Sequence, residues 1–249
     1  VFGFLNGNNS TDWTFEFGDI DGDGDQDIVG LHFDIEILNE RDVYFTHFDF
    51  TFPDGLGYYE NQGNGKYVQR IIPWSIDANM WDDPFYAGPD LFSLKVADLD
   101  DDNDDDIILS CSIDTNNQES VRYILFENDG SGAFSERILA DLYQDDIPVN
   151  FQVVDFDQDG DKDIVKNTFY AGPNHQNQNG IAWLENDGNE NFNLIFTDIP
   201  PQQQNENYVV FDKDGDGDMD VFCPRFGFDW IENEGNLSFN QISDITHNN

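Results

Sequence analysis

Residues 155–163 read Asp155-Phe-Asp-Gln-Asp-Gly-Asp-Lys-Asp163, with carboxylates at every second position around one glycine, and run straight into Ile164 and Val165. The spelling D-x-D-x-D-[GN]-D-x-D occurs three more times. The other copies are Asp19-Ile-Asp-Gly-Asp-Gly-Asp-Gln-Asp27, Asp98-Leu-Asp-Asp-Asp-Asn-Asp-Asp-Asp106 and Asp212-Lys-Asp-Gly-Asp-Gly-Asp-Met-Asp220. Successive first positions fall 79, 57 and 57 residues apart. Periodicity on this scale means an array of like units, and it decides the fold before any single element is read.

A second element follows each loop: Glu60-Asn61-Gln62-Gly63, Glu127-Asn128-Asp129-Gly130, Glu185-Asn186-Asp187-Gly188 and Glu232-Asn233-Glu234-Gly235. Aromatic or aliphatic residues precede each copy. Seven residues after each Glu stands another aromatic: Tyr67, Phe134, Phe192 and Phe239. Asn and Gly accept positive φ, so these segments read as hairpin turns. Short β-rich runs, Trp13–Phe17, Leu91–Val96, Val149–Val154 and Tyr208–Phe211, lead into the acidic loops. No stretch sustains a helical period. Each unit therefore reads strand, acidic loop, strand, variable loop, strand, tight turn, strand. The expected fold is all-β: a β-propeller-like array of four four-stranded blades over about residues 13–72, 91–140, 148–198 and 207–243. Residues 13–249 form one domain in this reading, preceded by an apolar segment and linker at 1–12.

Without a counterion each loop is costly. Four carboxylates converging within roughly 5 Å repel by about 5 kcal/mol even at water's dielectric, comparable to the net stability of a small domain. A cation has to offset this in all four loops. All-oxygen, multidentate, flexible ligation selects Ca²⁺ over zinc and over magnesium, so about four structural calcium ions are expected. The spacing resembles the first half of an EF-hand loop, with Gly or Asn at position 6 making the sharp turn. Here the last acid is an Asp at position 9, and strands flank the loop. Loop 2 departs most, with Asn103 at position 6 and extra acids Asp101 and Asp105. Asn tolerates the left-handed region, so binding there is expected to survive.

Together the loops and hairpins resemble FG-GAP/VCBS-type repeats, the calcium-binding units of integrin α-chain propellers and many secreted bacterial proteins. The resemblance runs from Trp13 to Ile242. It implies side-chain ligation by Asp19, Asp21, Asp23 and Asp27; by Asp98, Asp100, Asp102 and Asp106; by Asp155, Asp157, Asp159 and Asp163; and by Asp212, Asp214, Asp216 and Asp220. Position 7 (Asp25, Asp104, Asp161, Asp218) is implied to offer its backbone carbonyl, its side chain facing out. Propellers of this family commonly close with seven blades, whereas four units are visible here. A compact four-bladed ring, a piece of a larger propeller, and an open array completed by another chain all remain open.

Composition narrows the function. The 249 residues carry 52 Asp+Glu against 10 Lys+Arg, a formal charge of -42, yet 15% are aromatic, which separates the chain from disordered acidic tails. Scattered cations supply no basic face for nucleic acid. No apolar run is long enough to span a bilayer as a helix. Weak calcium sites fill outside the cytosol, so an extracellular or cell-surface location follows. The chain opens on Val1-Phe2-Gly3-Phe4 without initiator Met, as expected of a processed or excised end. Cys111 and Cys223 read as buried small hydrophobes, a single disulfide being the alternative. Sequons occur at Asn8, Asn9 and Asn236.

No nucleophile elbow, phosphate loop or zinc-protease motif is present. His32, His47, His175 and His247 have no mutual spacing that ties them to one another. Variable-loop aromatics such as Phe48, Trp81, Tyr86, Tyr170 and Phe226 suit either loop packing or a carbohydrate platform. Val1–Leu5 could add as a strand to its own ring or to a neighbouring molecule. The expected function is a secreted, calcium-stabilised, non-enzymatic structural or adhesion protein, whose partners are other chains, foremost copies of itself. A glycan-binding module is the alternative, and a polysaccharide lyase or hydrolase the third reading.

Overall fold

The structure, a computed structural model, describes residues 15–31, 34–39, 42–47, 56–73, 92–114, 119–143, 151–170, 178–188, 191–197, 208–223, 229–235 and 237–242. Every regular element among them is a strand.

Blade 1 consists of β1 (Phe15–Gly18), β2 (Asp27–Leu31), β5 (Leu56–Asn61) and β6 (Tyr67–Ile72). Blade 2 consists of β7 (Phe92–Ala97), β8 (Asp106–Asp114), β9 (Glu119–Asn128) and β10 (Phe134–Tyr143). Blade 3 holds β11 (Phe151–Val154), β12 (Asp163–Tyr170), β13 (Gln178–Asn186) and β14 (Phe192–Phe196). Blade 4 holds β15 (Val209–Phe211), β16 (Asp220–Cys223), β17 (Asp229–Asn233) and β18 (Phe239–Ile242). Within each blade the strands lie side by side in chain order, all pairs antiparallel. The insertion of unit 1 carries a hairpin that the repeat pattern does not contain, β3 (Asp34–Asn39) with β4 (Asp42–His47).

The register explains both repeated elements. The acidic loop joins the first two strands of each blade, the closing pairs being Gly18↔Asp27, Ala97↔Asp106, Val154↔Asp163 and Phe211↔Asp220. Position 9 is therefore the first residue of the second strand. The E-N-x-G turn joins the last two strands, closed by Asn61↔Tyr67, Asn128↔Phe134, Asn186↔Phe192 and Asn233↔Phe239. The recurrent aromatic is thus the cross-strand partner of the recurrent Asn. Two reversals of direction bring this turn to the same end of the sheet as the acidic loop.

Side chains alternate across each sheet, so both faces of an inner blade are apolar. Of the two residues after position 9, the first faces the preceding blade and the second the following one. Val29 packs with Ile107 between blades 1 and 2, Ile108 with Ile164 between blades 2 and 3, and Val165 with Val221 between blades 3 and 4. Position 2 of the loop plugs the seam with the next blade: Ile20, Leu99 and Phe156 are all buried. First strands meet across the seams, β1 with β7, β7 with β11 and β11 with β15; among the described residues no contact of like extent joins β15 to β1. Cys111 is a free, buried thiol in the first seam, as the small-hydrophobe reading expects. Lys166 is a buried cation that the pattern did not announce; loss of water pushes its ammonium down to about 7.

Candidate metal centres in the acidic loops

Each loop is coiled by its own carboxylates. Position 1 accepts from the backbone N–H of position 6, at 2.9 Å for Asp19 and Gly24, 3.2 Å for Asp98 and Asn103, 3.2 Å for Asp155 and Gly160, and 3.1 Å for Asp212 and Gly217. Positions 3 and 5 accept from the N–H two residues on, as when Asp25 N–H donates to Asp23 at 3.0 Å. The chain passes through the left-handed region at positions 4 and 6. Gly24, Asn103, Gly160 and Gly217 occupy position 6 with φ of 92°, 75°, 103° and 100°. Asn103 adopts the geometry expected of it. Position 4 has the same requirement, met by Gly22 and Gly215 but also by Asp101 (φ 59°) and Gln158 (φ 65°).

The fold draws three carboxylate oxygens to within 4.8 Å of one another in every loop: Asp19, Asp21 and Asp23; Asp98, Asp100 and Asp106; Asp155, Asp157 and Asp159; Asp212, Asp214 and Asp220. Positions 1 and 3 recur in all four, joined by position 5 or position 9. Oδ1 of Asp19 and of Asp155 is buried and accepts no hydrogen bond. A buried, unpartnered carboxylate oxygen facing other carboxylates is costly alone and is what a hard cation would satisfy. The residues fit Ca²⁺, which takes six to eight oxygens in flexible geometry. The triads would hold the ion; it would supply local charge neutralisation and a rigid loop.

Position 9 clamps the two repeated elements together. Asp27, Asp106, Asp163 and Asp220 are buried. Oδ2 of each accepts the N–H of position 2, at 3.0 Å from Ile20, 2.9 Å from Leu99, 2.9 Å from Phe156 and 3.0 Å from Lys213. Oδ1 accepts the N–H of the turn Asn, at 2.7 Å from Asn61, 2.9 Å from Asn128, 2.8 Å from Asn186 and 2.8 Å from Asn233. The same Asn donates its side-chain amide to the carbonyl of position 8 and accepts from its own turn glycine, as in Asn128 to Asp105 (3.1 Å) and Gly130 to Asn128 (3.2 Å). These roles were not legible in spacing, because carboxylate–amide geometry appears only once the strands pair. Burial pushes the carboxyl of Asp27 up to about 6 and those of Asp106 and Asp163 up to about 7, against the pull of these N–H bonds.

Position 7 differs from the outward orientation expected of it. All four side chains are half-buried, and Oδ1 of Asp25 is buried without a partner. In units 2 to 4 the carboxylate turns toward the hairpin glycine: a Cβ on Gly130 would lie 2.4 Å from Asp104 Oδ2, one on Gly188 2.3 Å from Asp161 Oδ2 and one on Gly235 3.1 Å from Asp218 Oδ2. Glycine there serves both a positive φ and the volume of position 7, whereas Gly63 of unit 1 serves the φ alone. The turn Glu also faces the loop, its charge helping to raise Asp21 (Glu60), Asp100 (Glu127) and Asp157 (Glu185) after desolvation and the neighbouring carboxylates.

Adjacent loops touch. Asp105 Oδ2 accepts the backbone N–H of Asp19 at 3.0 Å, and Asn128 donates to the carbonyl of Ile20 at 2.8 Å. Lys162 Nζ donates to Asp101 at 2.7 Å and to the backbone carbonyl of Asp98. Gln158 donates to Asp218.

Residues 98–165, which hold loops 2 and 3 and the strands between, match the family model of the FG-GAP-like repeat. The match agrees with the sequence resemblance over that stretch, and loops 1 and 4 repeat the same bonding outside it. No curated protein matches the chain. His32, His175 and His247, the sequons, Val1–Leu5 and the loop aromatics Phe48, Trp81, Tyr86 and Phe226 lie outside the described residues, as do the side chains of His47 and Tyr170. No helix among the described residues is long and apolar enough to cross a membrane.

Proposed function

We propose that this chain is a non-enzymatic, calcium-stiffened structural or adhesion protein that works outside the cell, with one ion in each acidic loop. The observation that carries this reading is the fourfold carboxylate triad, backed by the buried unpartnered oxygens of Asp19 and Asp155. FG-GAP repeats are typical of extracellular and surface proteins and are in general non-enzymatic modules. Calcium is abundant there, and sites built from exposed Asp loops fill at millimolar levels. The ions act through stability: each occupied site adds about 2.7 kcal/mol when calcium stands a hundredfold above its Kd.

Equilibrium dialysis against calcium is expected to give about four bound ions per chain, and thermal melting a Tm that rises with calcium and falls on chelation. In Asp23→Ala the stoichiometry drops toward three. A chain that binds no calcium at millimolar concentration, or melts alike with and without it, overturns the proposal.

A further inference from the structure

We propose that the outer face of blade 1 and the outer face of blade 4 are the two halves of an interface between copies of this chain, joined head to tail. The inference rests on the calcium-stiffened scaffold reading and names its partner and contact surface.

Every internal seam uses the same positions. The backward face of a blade presents the residue four before the loop, which is Leu94 in blade 2, Phe151 in blade 3 and Tyr208 in blade 4, all buried against the preceding blade. In blade 1 the equivalent is Phe15, only half-buried. On that face Phe17 is 42% and Ile71 56% exposed, Phe15 and Ile71 lying in one cross-strand row. The forward face shows the converse. Tyr58, Leu125 and Trp183 are buried against the following blade, whereas their equivalent in blade 4, Trp230, is half-buried. Around it Val209 is 41% and Phe211 38% exposed.

The occupant follows from this repetition. Among the described residues blade 4 presents a surface of the type that receives a blade's back and blade 1 presents the back of a blade, so each copy carries both complements of a seam made three times inside it. The two faces are not spent on each other within the described residues, since each buried apolar cluster joins consecutive blades and none joins blade 4 to blade 1. Chemistry at position 2 agrees. Where blades 1 to 3 have the apolar plugs Ile20, Leu99 and Phe156, blade 4 has exposed Lys213, its Nζ 5.2 Å from the centre of the Trp230 ring. Its Nζ also lies 4.0 Å from Glu232 of the same blade, so this face carries one of the ten cations of a chain of net charge -42. A polar, charged rim around an apolar core is usual where separately folded molecules meet. In two of the three seams position 8 of the following blade reaches position 1 of the preceding loop, Asp105 to the Asp19 N–H and Lys162 to the Asp98 carbonyl, and blade 1 carries the polar Gln26 at that position. Such a contact is heterologous and propagates into rings or filaments.

Sedimentation velocity in millimolar calcium tests this with Phe17→Glu on one face and Val209→Glu on the other. The parent is expected to grow in mass with concentration, and each variant alone to stay at monomer mass. An equimolar mixture of the two should reach twice the monomer mass and stop, because only one intact face remains on each variant. A parent that stays monomeric, a variant that assembles like the parent, or a mixture that stays monomeric overturns the interface. Ile71→Glu takes the place of Phe17→Glu if the latter lowers the calcium-loaded Tm. A monomeric parent whose Tm still rises with calcium refutes the interface alone; a Tm indifferent to calcium refutes the scaffold reading.

Discussion

Asn128 has more partners than its neighbours in the repeat. Its side chain donates to Asp105 O and, across the seam, to Ile20 O, and it accepts from Gly130 and Gly132. Asn61 makes the bonds to Gln26 O and Gly63 and, among the described residues, none to a preceding blade. Asn128→Ala should therefore cost about 2–3 kcal/mol and Asn61→Ala about 1 kcal/mol in urea unfolding with calcium present. Equal losses would show that the seam bond contributes nothing. The sequence announced these asparagines as turn residues, since Asn-x-Gly has that meaning wherever it occurs. Their grip on position 9 was not legible, because a bond between residues such as Asn128 and Asp106 depends on strands pairing across 22 positions.

Among elements, the hairpin and the loop behave as one unit. Gly63 and Gly130 hold the same φ, 70° and 74°, yet a Cβ on Gly63 meets nothing within 4 Å while one on Gly130 strikes Asp104. Gly63→Ala should cost roughly 1–2 kcal/mol for the left-handed backbone, and Gly130→Ala about 3 kcal/mol, with weaker calcium binding at loop 2 only in the second case. Calcium titration of the two variants decides the matter; equal affinities would uncouple hairpin from loop. Strand number, order and type were legible in the repeat, because alternation and turn residues recur at fixed offsets. The β3–β4 hairpin was not, for it occurs once and borrows no support from the other units. Position 4 escaped notice for a related reason: Asp101 and Gln158 hide a glycine-like requirement that only Gly22 and Gly215 spell out.

For the whole molecule, acid and calcium should act in opposite directions. Burial raises Asp27 to about 6 and Asp106 and Asp163 to about 7, whereas an Asp in the unfolded chain titrates near 4. Protons on these groups stabilise the metal-free fold. That contribution is complete below about pH 4 and is lost as the pH rises through 6 to 7. With calcium the sign reverses, since protons compete with the ion for the same carboxylates. Melting between pH 5 and 8 should show a Tm that falls with pH when calcium is absent and rises when it is present. A metal-free Tm that climbs over this range refutes the expectation.

Lys162 gives this behaviour a further dimension. It belongs to loop 3 and holds the backbone of Asp98 and the side chain of Asp101 in loop 2, while Asp105 and Gln158 make the corresponding ties to loops 1 and 4. An ion that rigidifies one loop would lower the ordering cost of the next, and the four sites are expected to fill as a row of neighbours. Calcium binding should rise more steeply than independent sites allow, with a Hill coefficient above one that falls in Lys162→Met. The chain would then respond to calcium over a narrow span of concentration, as a threshold device does.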